Sequence, residues 1–277
     1  MLWLILAAPT GCRQKPAKAT ETEVTTTQSD TTPAEANAVA NSITPAQTSE
    51  LAYANEDAKM DIRVLGTGPF HDDEVWPTAA KEGWFGLFIG KDGYYIARTK
   101  IATEHVYDPV VDEDTTDRTG WQINVLHPGT AVFLIAEKAR LREGLVRNSL
   151  PDNEEIAPGQ QRAFTCGGQT FKLIATGRKT PVPSAPPGEY AVEDYRLYLE
   201  GMSGNTKITQ LIVAESSFEE ATITILFVGD LDGDALPDLI IDTTNHYNMV
   251  RPTLYLSKSA PAGKLVKLAG WYRAVGC

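Results

Sequence analysis

"WFGLFIGKDGYYIARTKI", residues 84–101, sets the reading of the chain. Two apolar and aromatic runs flank a Lys91-Asp92-Gly93 turn. Asp-Gly suits the positive φ of a tight hairpin turn, so the stretch predicts a β-hairpin. Outward from it the same grammar repeats. "GWQINVL" and "TAVFLIA" are strands separated by His127-Pro128-Gly129, and "RAFTCGGQTFKLIATG" is strand, Gly-Gly turn, strand. "YRLYLE", "KITQLIVAE", "ATITILFV", "DLIID", "TLYLS", "KLVKLAG" and "WYRAVGC" follow. Short β-branched and aromatic runs with Gly and Pro between them predict a mostly β fold with little helix, as antiparallel sandwich- or barrel-like sheets. "AEKARLREGLVRNSL" (136–150) allows two or three helical turns, but Gly144 interrupts it; a strand extension and a loop is the alternative.

Organisation follows composition. The polar stretch 151–163, with two prolines, predicts a boundary between an N-terminal β domain (56–157) and a C-terminal β domain (158–277). "TPVPSAPPGEY" (180–190) is too proline-rich for a central strand and reads as a surface loop. The net charge is −11, and residues 51–277 hold 22 Lys and Arg against 31 Asp and Glu. Such a globule cannot neutralise phosphates, so no nucleic-acid partner is expected.

The first twelve residues, "MLWLILAAPTGC", are a short apolar run, then small residues and Cys12. The run is too short to span a bilayer as a helix. Thr10-Gly11-Cys12 resembles the cleavage box of a bacterial lipoprotein signal peptide, although Pro9 stands where a leucine is usual and no basic residue precedes the run. The resemblance implies a lipid on Cys12 and a place in the cell envelope, on the periplasmic side of the outer membrane. Residues 13–50 have no aromatic and are dominated by Thr, Ala, Ser, Pro and Gln. Such a segment cannot bury enough apolar surface to offset its ordering entropy, so 13–55 reads as a disordered tether. As a coil it would reach roughly 35 Å. With Cys12 lipidated, Cys166 and Cys277 remain. An oxidising compartment would let them pair, the alternative being two unpaired buried thiols.

"GDLDGDALPD" (229–238) poses the chemical question, since its crowded carboxylates repel one another. Calcium prefers six to eight oxygens from a tightly wound backbone. Asp230, Asp232 and Asp234 stand at positions 1, 3 and 5, Leu236 would offer its carbonyl at 7, and Asp238 would close the shell at 9. Ile241 at position twelve excludes an EF-hand, which needs Glu there. The loop, with "TILFV" before it and "LIID" after, resembles the calcium loop of FG-GAP and VCBS-type repeats. That resemblance implies a structural calcium pinned between two strands. The loop occurs once, so a full propeller is not expected. Ala235 stands where that family has glycine; a positive φ there would cost about 1 kcal/mol or more. The alternative is an acidic turn without metal. The second half, with "GDLDGDALPDLIIDTTNHYN" and "PTLYLS", also resembles secreted or lipid-anchored bacterial envelope proteins.

Beside the loop, Asp242, Asn245, His246, Tyr247 and Asn248 form a polar cluster. One reading makes His246 a general base oriented by Asp242, with calcium binding an anion. The other makes it a turn whose side chains cap backbone groups. No nucleophile motif accompanies it. His71, His105 and His127 show no zinc spacing. "HDDE" (71–74) and "DPVVDEDTTD" (108–117) read as solvated loops, either of which could contact a cation. Trp76, Trp84, Phe85, Tyr94, Tyr95 and Trp121 would suit glycan stacking if exposed in a row, and core packing otherwise. The expectation is a non-enzymatic, lipid-anchored envelope module with a structural calcium and a protein or glycan partner. A calcium-assisted hydrolase and a glycan-binding module are the alternatives.

Overall fold

The computed structural model describes residues 60–183 and 190–276. The expected signal peptide, tether, Cys12, Cys277 and most of the proline-rich loop therefore lie outside the described residues. In chain order the strands are β1 (Val64–Leu65), β2 (Gly68–Phe70), β3 (Trp84–Gly90), β4 (Gly93–Thr99), β5 (Ile101–Val106), β6 (Gly120–Val125), β7 (Thr130–Ala136) and β8 (Gly144–Leu145). There follow β9 (Glu154–Glu155), β10 (Gln161–Cys166), β11 (Gln169–Pro181), β12 (Tyr190–Ser203), β13 (Thr206–Ser217), β14 (Thr224–Gly229), β15 (Asp238–Asp242), β16 (Met249–Val250), β17 (Pro252–Leu256), β18 (Lys267–Trp271) and β19 (Ala274–Val275). The fold is mostly β with antiparallel sheets, and none closes into a barrel or propeller.

The opening hairpin forms as β3 and β4. Gly90 pairs with Gly93, so Lys91 and Asp92 are the turn residues, and Gly93 has φ 106°. These strands sit in a sheet ordered β1-β7-β3-β4-β8. β6 and β7, adjacent in sequence, part company: β6 joins β2 and β5 in a separate sheet. Between Ala136 and Leu150 no α-helix forms. A single 3-10 turn at Glu137–Ala139 ends on left-handed Arg140, and the chain then extends into β8.

The middle sheet, ordered β18-β17-β15-β14-β9, explains the unbroken apolar runs. Side chains alternate faces along a strand, so a strand covered on one side reads apolar-polar. Here both faces are covered. Ile240, Leu254 and Leu256 join the core of the N-terminal sheets; Leu239, Ile241 and Tyr255 join a second core beneath the four-stranded meander β10-β11-β12-β13. A bulge at Leu226 lets Leu226 and Phe227 both turn toward the first core, while Ile225 and Val228 serve the second. The edge of Tyr94 meets Phe227 with ring centres 5.4 Å apart. The described residues gather into one compact unit, in which the segments expected to divide near 157 share the middle sheet.

One charged pair crosses the second layer. Arg251 donates to Glu215 on β13 and, through Nη2, to the Thr243 carbonyl at 2.6 Å, with both charged residues buried. Burial pushes the Glu215 carboxyl up, against the pull of Arg251.

Candidate metal centre

The β14–β15 connection is the acidic loop. Its first aspartate winds it. Asp230 Oδ1 accepts the amides of Gly233 and Asp234 at 2.7 and 3.1 Å, and Oδ2 accepts that of Ala235 at 3.0 Å. Two residues take the left-handed conformation this winding requires: Gly233 at φ 82° and Ala235 at φ 66°. Neighbouring segments then clamp the coil. The Arg142 amide donates to the Leu231 carbonyl at 3.1 Å. Gly167, in the β10–β11 turn, lies so close that a side-chain carbon there would fall 2.0 Å from the Ala235 carbonyl oxygen.

Carboxylate oxygens of Asp230, Asp232 and Asp238 all come within 4.8 Å of one another. Oxygens bound to calcium at 2.3–2.6 Å can stand about 5 Å apart, so the three fit around one ion. Asp238 is fully buried and held from the protein side. Its Oδ2 accepts the Leu231 amide at 2.8 Å, and its Oδ1 accepts the Ser257 amide at 2.8 Å. Asp232 differs. It is 6 % exposed, and neither of its carboxylate oxygens has a hydrogen-bond partner among the described residues. A buried carboxylate without partners is among the costliest arrangements in a protein. Burial, then the neighbouring Asp234 charge, pushes its pKa up to about 6 against the pull of Lys258. Burial and the Asp232 charge push Asp238 up to about 8, despite the Ser257 and Leu231 amides.

The other two expected ligands are placed differently. The Asp234 carboxylate accepts the Leu236 amide at 2.8 Å and meets the Ser257 hydroxyl at 3.0–3.1 Å, so it supports the loop from outside the converging group. Leu236 packs its side chain against the second core. Ser257, nineteen residues beyond Asp238, carried no signal in the sequence. The register of β15 against β17 brings it there: Leu239 pairs with Tyr255, which places Ser257 beside the strand's first residue.

Cys166 lines the same region as a free, buried thiol. Burial and the charges of Asp230, Asp238 and Asp234 push its pKa up to about 11. Among the described residues Cys166 is a free thiol, and the bridge expected with Cys277 falls on a residue outside them.

The His246 cluster does not assemble as a base with Asp242 behind it. Asp242 Oδ1 accepts the backbone amides of Thr244 and Arg251 at 3.1 and 2.8 Å. Burial raises the Asp242 carboxyl, with the Arg251 and Thr244 amides opposing. His246 instead places Nε2 3.1 Å from Glu219, and its Nδ1 accepts the Asn248 amide at 3.4 Å. Both ring nitrogens are occupied, and the Thr244 hydroxyl faces the His246 backbone.

A different histidine found a carboxylate that spacing could not reveal. His71 Nδ1 lies 2.6 Å from Asp108, thirty-seven residues away. The Asp108 hydrogen bond holds the His71 pKa above its ordinary value, against burial. Burial would raise Asp108, but His71 and the Val110 amide outweigh it and leave the carboxyl below its usual range. The loop 108–117 is thus closed by its own acids: Asp112 accepts the Asp108 amide and the Thr119 amide and hydroxyl. The aromatic row is broken. Trp84, Phe85 and Trp121 are buried, and Arg63 lies over Trp76.

Comparison with protein-family models, with curated proteins and with solved structures finds no match to this chain.

Proposed function

We propose that the protein is a lipid-anchored module of the bacterial cell envelope, organised around one structural calcium and acting by binding or scaffolding, not by catalysis. The observation that carries the calcium is Asp232: a buried carboxylate with no partner, facing two more carboxylates on a wound loop. A divalent cation would supply the missing partner and offset the repulsion. Asp230, Asp232 and Asp238 would hold it. Asp234 would brace the loop through Ser257, and the Leu236 carbonyl is the remaining candidate ligand. The loop's likeness to FG-GAP and VCBS-type repeats supports the same reading, as do its two buried flanking strands. Calcium fits better than magnesium, which keeps several waters and seldom uses an all-protein cage.

The anchor rests on Thr10-Gly11-Cys12 and the polar stretch behind it. Asp242 is turned to backbone amides and not to His246, which removes the support for the Asp242–His246 hydrolase reading, and the burial of Trp84 and Trp121 removes the support for glycan stacking.

Thermal unfolding of the full chain in EDTA and in calcium tests the metal. At a hundredfold excess over Kd, linkage predicts about 2.7 kcal/mol of stabilisation. Asp232→Ala should lose that response. Identical unfolding of wild type with and without calcium would end the metal reading. Incorporation of a fatty-acid label that vanishes in Cys12→Ala tests the anchor separately.

A further inference from the structure

A cleft of about 460 Å³ opens beside the acidic loop. Three segments wall it: residues 142–149, the Thr165–Gly168 turn, and the loop itself at Asp230 and Gly233. The walls are tied together. Ser149 donates its hydroxyl to the Thr165 carbonyl at 3.0 Å and its amide to the Val228 carbonyl at 2.7 Å. Arg142 crosses the loop at Gly233, where a side-chain carbon would fall 2.6 Å from the Arg142 Cδ. The crossing exists because Gly233 has no side chain.

Two features of this cleft point to a ligand. Asp230 belongs both to the cleft wall and to the converging carboxylates, so one of the three candidate ligands borders the cleft. With one oxygen from each of the three carboxylates and the Leu236 carbonyl, the chain supplies fewer than the six to eight oxygens that calcium takes, which leaves positions to be filled from outside. The second feature is a pair of arginines in the cleft's lining, Arg142 and Arg147. Arg142 and Arg147 make no ion pair and no side-chain hydrogen bond among the described residues. In a chain of net charge −11, Arg63, Arg98, Arg162, Arg178 and Arg251 pair with acids; Arg118, Arg140 and Arg196 also form no ion pair among the described residues, but of the unpaired arginines Arg142 and Arg147 line this cleft.

We propose that the cleft binds an oxyanion, a carboxylate or phosphate carried by a ligand, with one oxygen completing the cation's shell and the remaining charge met by Arg142 and Arg147. The inference rests on the calcium reading and changes what the ion is for: it becomes half of a recognition site as well as a brace. Arginine's planar fork suits two-oxygen groups of this kind.

The test is calcium affinity of the full chain by calorimetry, at one ionic strength, in chloride, in acetate and in methyl phosphate. Coupling between sites is reciprocal, so an anion that binds beside the ion tightens calcium. The expected gain is about fivefold or more, the lower range of such couplings. Whichever anion gives the larger gain identifies the ligand group. Arg142→Gln with Arg147→Gln should abolish the gain while calcium still binds in chloride. Calcium binding that is indifferent to both anions would overturn the inference and leave the metal reading standing. An equal gain in the arginine variant would overturn it too. Failure to bind calcium in any salt would remove the metal itself, and the inference with it.

Discussion

Ser257 serves two aspartates at once. Its amide and hydroxyl lie 2.8 and 2.9 Å from Asp238 Oδ1, and the same hydroxyl stands 3.0–3.1 Å from both oxygens of Asp234. The chain just past the end of β17 thereby holds the loop's last two acids. Ser257→Ala leaves the amide in place and removes the hydroxyl. A hydrogen bond to a charged group contributes about 1.5–3 kcal/mol. Urea titration in EDTA should show a loss near the lower end of that range, and calcium affinity should weaken.

The ion-free loop should be sensitive to base. Asp232 and Asp238 have folded pKa values of about 6 and about 8, above an unfolded value of 3.8. Between those limits the native state binds more protons than the unfolded state. Stability therefore falls as pH rises from about 4 through 8. In EDTA the unfolding temperature should be lower at pH 8 than at pH 5. Calcium, which binds the ionised form, should narrow that difference, and Asp232→Asn should reduce it in EDTA.

His71 gives a slope that can be separated from the loop. Its folded pKa is raised above 6.5 by Asp108. The stability it contributes is complete below the unfolded pKa and is lost as pH rises through the folded value. Comparing wild type with His71→Gln in saturating calcium isolates it. The gap between the two should shrink from pH 6 to pH 8.5; a constant gap would mean that the pair does not titrate there.

Ala235 at φ 66° pays a conformational penalty that glycine does not. Glycine also adds freedom to the unfolded chain, which takes back about 0.4–1 kcal/mol. Ala235→Gly should stabilise by up to about 1 kcal/mol in calcium. Gly167→Ala should do the reverse and cost more, because the new carbon would collide with the Ala235 carbonyl.

Cys166 should resist thiol reagents at pH 8 in the folded protein and react on unfolding. Its burial and three acidic neighbours keep the thiolate fraction low. Peptide mapping after alkylation would show it; a mapped Cys166–Cys277 disulfide would contradict the free thiol.

Local chemistry was readable from the sequence. The turn of residues 90–93, the Gly167-Gly168 hairpin and the winding aspartates of 230–238 all act over a few residues, and each declares itself by residue type. Partnerships made across the chain were not readable. His71 and Asp108, Ser257 and Asp238, and Arg251 and Glu215 meet because strands bring them together, and nothing in their own neighbourhoods marks them. The layering was half visible. "DLIID" and "TLYL" read as strands, but an unbroken apolar run also fits a buried helix segment, and nothing in it says that two sheets cover it. Asp242 and His246 were left open by their sequence spacing. Four residues apart, they allowed either a catalytic pair or a turn that caps backbone groups, and the chain took the second: Asp242 accepts backbone amides and His246 meets Glu219.

The doubly covered middle sheet carries one more consequence. A strand with one wet face is kept in alignment by that face, because a one-residue slip would drive polar groups into the core. Leu239, Ile240 and Ile241 have no wet face. Slipped by one, each would still land in oil, and hydrophobic burial would scarcely object. What objects is Asp238, locked at the strand's first position by the amides of Leu231 and Ser257. The acidic loop is in that sense an alignment key for the molecule's greasiest strand, and an ion held there would guard against misthreading as well as against melting.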